Sequence, residues 1–496
     1  MTWSRLTFRA SKSRSIVIKD GRVINTSPFS FQNEIIPSIH DNPVKFLGRF
    51  INVSLTDKDA ISTFKDQVFR GLELIDKCSH RGIHKVWILQ HLFIPRLRWP
   101  LLIYEISLSL VLQLEQKVSF FLRKWLKLHP STTNICLYSS ISPCPLPIQS
   151  LTSVLKAAKV SGHLLLRESA DTFVSACNPA LKSGFWNVAD AVVTAESKLE
   201  IQKLLGYHQT NRAGFGSFHQ PEIPSKHSNT YRRLLTSILK EDDDDLYRTK
   251  AVQLHLQGYW MQWCDFVKND LSWKTLLAMP SALLSFCLNA TYGTLPSPSN
   301  LKRWQITTEA SCFLCKKKIC TAAHILGACQ VARNQARFTY RHDSVLSVLV
   351  AALNKFLNSY TYVPSNTSIK FVKEGKAPKH QVKTPKTGLI HSALKWKLLF
   401  DHEGSPTIPS FITITALRPD IVIYSIDSKA VILIELTCPC EENMPYWHNK
   451  KKENYHALCS SIRANNWKLW FFFCRSRCKR VLCRIFGKLS PLPWLT

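Results

Sequence analysis

Two carboxylates and a cysteine–histidine cluster are the residues whose types and spacing could do chemistry. The stretch RPDIVIYSIDSKAVILIELT, residues 418–437, holds two short apolar runs, Ile421–Tyr424 and Ala430–Leu436, around a polar turn. That pattern predicts a β-hairpin whose second strand, nearly continuous in Val, Ile and Leu, is buried on both faces. A buried strand carries a carboxylate only where the charge is paired or holds a metal. Glu435 lies inside that run, and Asp420 lies at the mouth of the partner strand. The hairpin can bring the two acids side by side, as a hard divalent cation requires. An acid that merely caps a strand end or meets a neighbouring lysine is the alternative; the pairing, with Pro419 ahead of the first acid, weighs against it.

The second candidate is Cys312-x2-Cys315-x8-His324-x4-Cys329. Four soft ligands at that spacing can close a tetrahedral Zn2+ site, and a closed site is structural. Cys320 interrupts the loop and competes as a ligand. A group of ordinary buried cysteines is the other reading.

Pro419-Asp420, fourteen residues, then Glu435 resembles the PD-(D/E)xK nuclease core, with one departure. The lysine of that pattern belongs two residues after the glutamate, on the same strand face, and Thr437 stands there instead. Lysines return at 450, 451 and 452, in WHNKKKENY, where a helix is expected to start. Proline-aspartate, a glutamate, then lysine and tyrosine on the next helix resembles the restriction-enzyme-like endonuclease of certain non-LTR retrotransposons. Lys452 and Tyr455 match that lysine–tyrosine pair. The cysteine–histidine spacing resembles the CCHC knuckle between thumb and nuclease in the same elements. LPSPSNLKRW, 295–304, resembles the segment ahead of that knuckle. Arg337-Phe-Thr-Tyr-Arg341-His342-Asp343, leading into an amphipathic helix Val345–Leu357, follows it as in that family.

The resemblance implies that Asp420 and Glu435 hold Mg2+ or Mn2+ and that Lys452 orients the attacking water or neutralises the scissile phosphate. Tyr455 supports that geometry. Lys302, Arg303, Arg337, Arg341 and His342 are the implied nucleic-acid contacts. The implied partners are a DNA target and the element's RNA, and the implied setting is the nucleus. The implied activity is nicking of target DNA, whose freed 3′-hydroxyl primes reverse transcription. A nucleic-acid-binding remnant without catalysis is the alternative.

Composition agrees with a polyanionic partner. The chain has 496 residues, a net charge of +31 and an isoelectric point near 9.7. That excess favours a polyanion, nucleic acid before the rival membrane surface, and no small-molecule substrate is expected. The most apolar run, Trp99–Leu114, contains Glu105 and is too interrupted to span a bilayer, so no membrane partner is expected. Sixteen cysteines without an apolar leader segment are read as free or metal-bound.

The elements that must position these residues divide the chain into six segments. Residues 1–90 hold a hairpin at Ser15–Ile24 turning on Asp20-Gly21, and a short strand at Pro43–Gly48. They resemble a reverse transcriptase palm remnant. No Asp-Asp follows an aromatic residue in the first hundred residues, so the chain reads as 5′-truncated and unable to polymerise by itself. Residues 91–205 carry amphipathic helices at Leu108–Leu128 and Leu151–Arg167 and resemble a thumb. Residues 206–310 read as linker and helical region, with the acidic run Glu241–Asp245 taken as solvated linker. The knuckle and its basic helix occupy 311–362, and a flexible basic linker occupies 363–388. The nuclease core occupies 389–496 and opens with a helix expected at Leu389–Phe400. After Tyr455 the match fades, and an altered ending after Trp467 puts the closing strand in doubt; Cys474, Cys478 and Cys483 there lack the paired elbow of a metal site. The fold class expected is multidomain and mainly α, with a small α/β nuclease core.

Overall fold

Three serines fix where long helices begin in the N-terminal half. Ser107, Ser150 and Ser228 each accept a hydrogen bond from the backbone N–H three residues on, and open the helices Leu108–Trp125, Leu151–Arg167 and Asn229–Gln253. Each thereby satisfies one N–H that the helix itself leaves unpaired. The computed structural model is mainly helical with small sheets. It describes most residues between 9 and 475. The longer stretches outside the description are 1–8, 177–185, 219–223, 262–270, 359–389, 402–407, 440–443 and 476–496. The expected basic linker 363–388 and Cys478 and Cys483 therefore lie outside the described residues. No helix among the described residues is long and apolar enough to cross a membrane.

The chain divides into two compact units, one of Met1–Tyr259 with Asp270–Leu277, the other of Trp260–Asn269 with Ala278–Thr496. In the first, Val17–Lys19 pairs antiparallel with Arg22–Ile24. Asp20 and Gly21 between them have φ of 51° and 74°, the left-handed pair that a tight two-residue hairpin turn demands. A helical bundle follows. Val160 and Leu164 of Leu151–Arg167 pack with Val192 and Leu199 of Val188–Leu205 and with Leu235 and Ile238 of Asn229–Gln253.

The acidic run Glu241–Asp245 lies inside the last of these helices and is not a linker. Asp244 is 7% exposed. It accepts the Ser140 backbone N–H at 2.9 Å and the Ser139 hydroxyl at 3.4 Å. Asp243 meets Lys156 at 2.5 Å. A run of charge in sequence shows only that water is favoured; partners supplied by distant serines and a lysine reverse the balance.

In the second unit, four strands form one sheet around the predicted hairpin. We label Arg337–Asn358 α1, Lys397–Phe400 β1, Ile421–Ser425 β2, Ala430–Thr437 β3, Met444–Ala464 α2 and Lys468–Arg475 β4. The sheet order is β4-β3-β2-β1, antiparallel from β1 to β3, with β4 parallel to β3. Every residue of β2 and β3 is buried. One face carries Ile421, Ile423, Ile432, Ile434 and Leu436 against Val345, Leu346, Val350 and Leu353 of α1. The other carries Val422, Tyr424, Val431 and Leu433 against Tyr455, Leu458 and Ile462 of α2. A sheet covered by a helix on each face explains the near-continuous apolar run.

Three sequence expectations change here. The end of the helix expected at Leu389–Phe400 is strand β1, whose alternating Leu398 and Leu399 serve opposite faces. Helix α1, assigned from sequence to the knuckle segment, also covers the sheet. A closing strand does follow Trp467: β4 runs beside β3 from Ala430↔Lys468 to Thr437↔Arg475. Its aromatic run, KLWFFFCR, has the strand propensity that a basic, cysteine-bearing tail disguised.

Asp244→Ala is expected to destabilise the first unit by about 1–3 kcal/mol, because it strands serine donors in the interior. Asp245→Ala, on an exposed carboxylate paired with Arg248, should stay within about 0.5 kcal/mol. Urea denaturation of the two variants separates a buried clamp from a solvated run, which would treat both alike.

Candidate metal centre and hairpin acid site

Two groups of side chains gather in the second unit. The first is the cysteine–histidine cluster. Cys312, Cys315, His324 and Cys329 bring one ligand atom each to within 4.8 Å of all the others. Cys315 Sγ lies 3.2 Å from His324 Nε2, and Cys312 Sγ lies 4.0 Å from Cys329 Sγ. Tetrahedral Zn–S bonds of about 2.3 Å would place two sulfurs roughly 3.8 Å apart, so the donor set fits a metal of that kind.

Local backbone makes the cluster. Cys312 C=O accepts from Lys316 N–H at 2.9 Å, and Cys312 N–H donates to Lys317 C=O at 3.0 Å. Lys316 takes the turn at φ 56°. The N–H groups of Cys315 and Leu314 point at the Cys312 sulfur and bring its pKa down to about 6, against the opposing effect of burial. A thiol so poised is readily the thiolate that a metal needs. Cys320 is buried beside the cluster, and burial followed by the neighbouring Cys312 thiol pushes it up to about 11. It is not among the four that converge.

The second group is the mouth of the hairpin. Asp420 is 8% exposed and Glu435 4%. Asp420 N–H donates to Glu435 Oε2 at 3.3 Å, while Asp420 Oδ2 accepts from the Leu436 N–H. The two acids thus interlock through the backbone of adjacent strands. Burial, then the charge of Asp420, pushes the Glu435 carboxyl above its ordinary range, with Lys451 pulling the other way.

Lys451 is the lysine that meets the acids. Its Nζ donates to Glu435 Oε1 at 2.6 Å and to the Leu436 carbonyl at 2.7 Å. Lys452, the residue that sequence singled out, is exposed. Helical spacing is the reason. Lys451, Tyr455, Leu458 and Ile462 follow the 4-3-4 steps of one face, the face that α2 lays on the sheet. Lys452 falls about 100° further round.

Tyr455 is buried, and its hydroxyl donates to the Arg418 carbonyl at 3.0 Å. It pins the backbone immediately before Pro419-Asp420. Burial and then the charge of Glu435 hold its hydroxyl well above the usual range, so it stays a proton donor.

The residues expected to contact nucleic acid divide into two sets. Lys302, Arg303 and Arg337 are exposed. Arg341 and His342 turn inward. Arg341 donates to the Leu326 carbonyl at 2.6 Å and to the Cys438 carbonyl at 2.8 Å. It so ties the cluster's loop to the end of β3. His342 Nε2 lies 3.3 Å from Asp420 Oδ1. Burial opposes a charge on His342, but the hydrogen bond and charge of Asp420, together with the Asp343 hydrogen bond, outweigh it and raise the pKa to about 9. Sequence reasoning missed both Lys451 and the approach of His342 to the acids. The spacing of Lys451 from Tyr455 was a usable signal; nothing local announced His342.

No protein-family model matches the chain, and no curated protein matches it.

Stripping the metal from zinc-loaded protein with a chelator should remove hydrogen-exchange protection over residues 312–329. A module this small has almost no core of its own, so metal binding supplies most of its folding energy. The C-terminal half of α1 should keep its protection, because the sheet holds it. Cys315→Ser should reproduce the chelator and Cys320→Ser should not. One tightly bound zinc surviving in the double variant Cys312→Ser/Cys315→Ser would refute the site.

Proposed function

We propose that the second unit is a divalent-metal-dependent DNA endonuclease derived from a non-LTR retrotransposon, nicking target DNA to prime reverse transcription. The observation that carries this reading is the buried pair Asp420 and Glu435, interlocked across β2 and β3 with Lys451 on one acid and His342 on the other. Two buried carboxylates on adjacent strands need positive charge, and carboxylate oxygens suit Mg2+ or Mn2+. Bound there, such an ion would generate a nucleophilic hydroxide and stabilise charge on the phosphoryl oxygens.

The chain's own groups have separate tasks. Asp420 and Glu435 would hold the ion. Lys451, fixed by Glu435 Oε1 and the Leu436 carbonyl, orients the attacking water or neutralises the scissile phosphate, the part sequence gave to Lys452. Tyr455 holds the Arg418 carbonyl and so the approach of the hairpin. The cysteine–histidine cluster and the exposed Lys302, Arg303 and Arg337 are proposed to hold nucleic acid, DNA target or element RNA, in the nucleus. The excess of +31 charges supports a polyanionic partner.

Supercoiled plasmid with Mg2+ or Mn2+ tests the proposal. Asp420→Ala and Glu435→Ala should each lower nicking by roughly 10²–10³-fold or more, the scale set by losing one preorganised electrostatic group. DNA affinity should stay near that of the parent. Lys451→Ala should lose roughly a hundredfold, Lys452→Ala less than about threefold. Unchanged nicking in the Asp420→Ala protein would sink the enzyme. A parent that binds DNA and never cuts with either ion would instead favour the binding remnant.

Binding itself should be salt-sensitive. With about six phosphates engaged, affinity falls roughly a thousandfold between about 50 and 200 mM salt. A flat salt response would rule out a polyanion as the partner.

A further inference from the structure

Two aromatic rings and a lysine stand together on the first turns of α2. Tyr446 is 61% exposed and Trp447 half-buried. Their ring centroids lie 5.4 Å apart at an interplanar angle of 77°, so they form a corner and not a stack. Lys450, one turn on and exposed, holds its Nζ 5.8 Å from the Tyr446 centroid and 5.3 Å from that of Trp447. Neither ring belongs to the apolar clusters that cover the two faces of the sheet.

The lysine decides what the corner suits. Its neighbour Lys451 takes a carboxylate, Glu435; Lys450 lies over two rings. A cation–π contact at an exposed site is weak, so a phosphate readily takes the ammonium over. A positive charge beside the rings repels a cationic ligand and favours an anionic one. A nucleotide meets both demands, its base stacking on a ring and its phosphate meeting the ammonium. The net charge of +31 points to the same class of partner.

Position adds the rest. Trp447, Lys451 and Tyr455 follow at steps of four along α2, which places them on one stripe of the helix. Lys451 joins that stripe to Glu435 and the Leu436 carbonyl, and Trp447 lies one turn earlier, roughly 6 Å of rise away. Successive nucleotides of a strand are spaced about 3.4 Å along a duplex axis, so the corner lies about two nucleotides from Lys451. A base inside a duplex keeps both faces stacked. Only an unpaired or extruded base offers a face to a side chain.

We propose that Tyr446, Trp447 and Lys450 form a stacking site for an unpaired DNA base close to the hairpin acids, so that the strand entering there is single-stranded. The proposal deepens the nuclease reading, on which the placement of that base near the cut rests.

Fluorescence anisotropy of labelled oligonucleotides, with the zinc-loaded full chain and no added Mg2+ or Mn2+, measures the contact without cleavage. The probes, equal in length, are a single strand of thymidines, the same strand with abasic sugars, and a duplex. Tyr446→Ala and Trp447→Ala should each weaken the thymidine strand roughly tenfold and leave the other two probes within about twofold, the scale of one stacked base. Tyr446 is exposed, so its variant keeps the test readable even where Trp447→Ala disturbs α2. Trp447→Phe should restore most of the affinity. Lys450→Ala should weaken both single strands alike and lower the salt slope by about one. Phe173→Ala, on a ring of the first unit that is 84% exposed, should change none of the probes. A thymidine strand carrying iodouracil should photo-crosslink to the peptide that holds Tyr446 and Trp447.

Unchanged affinity for the thymidine strand in both alanine variants overturns the stacking site. So does an equal loss on the abasic strand or the duplex in Tyr446→Ala, or crosslinking confined to other peptides. Each of these outcomes leaves the nuclease reading standing. A parent chain that binds none of the probes overturns the nucleic-acid partner and the stacking site together.

Discussion

Negative charge buried at the end of an apolar hairpin is the constraint on which the second unit depends. β2 and β3 are buried throughout, and each fully buried Val, Ile or Leu contributes about 1.5–3 kcal/mol. That stabilisation is what allows Asp420 and Glu435 to be held away from water. The acids in turn dictate what surrounds them. A lysine must come from α2, a histidine from α1, and a backbone N–H from Leu436. Removing any of these leaves a carboxylate underpaired in a medium of low dielectric, where it is most unfavourable. The helices therefore do more than cover the sheet. Each brings one cation to the row where the strands end.

The hairpin was legible because its signal is local and its exception is chemical. Two apolar runs around a polar turn specify the strands, and acids at their mouth stand out against them. The same is true of the Asp20-Gly21 turn and of Leu151–Arg167, where residue type fixes backbone geometry directly. The cysteine–histidine cluster was legible through spacing alone, and the structure answers which cysteines converge, placing Cys320 beside the four and not among them.

The misses share a cause: each residue's role depends on a partner distant in sequence. Lys397–Phe400 has no helical or strand period long enough to judge, and only β2 makes it a strand. Glu241–Asp245 looks like solvent-facing charge until serines at 139 and 140 and Lys156 are set against it. Lys450, Lys451 and Lys452 differ only in azimuth around α2, which an anchor such as Tyr455 reveals and composition does not.

Adjacent residues on α1 face two different centres. Arg341 holds carbonyls on the cluster's loop and just past β3, while His342 faces Asp420. Phe338, one helical turn earlier, packs on the cysteines. The lever arm between the metal module and the acids is thus a single turn of helix, roughly 5 Å of rise. On the proposed reading the protein works as a fixed ruler: wherever the module grips a strand, the cut falls at an offset set by α1 and insensitive to the length of any linker.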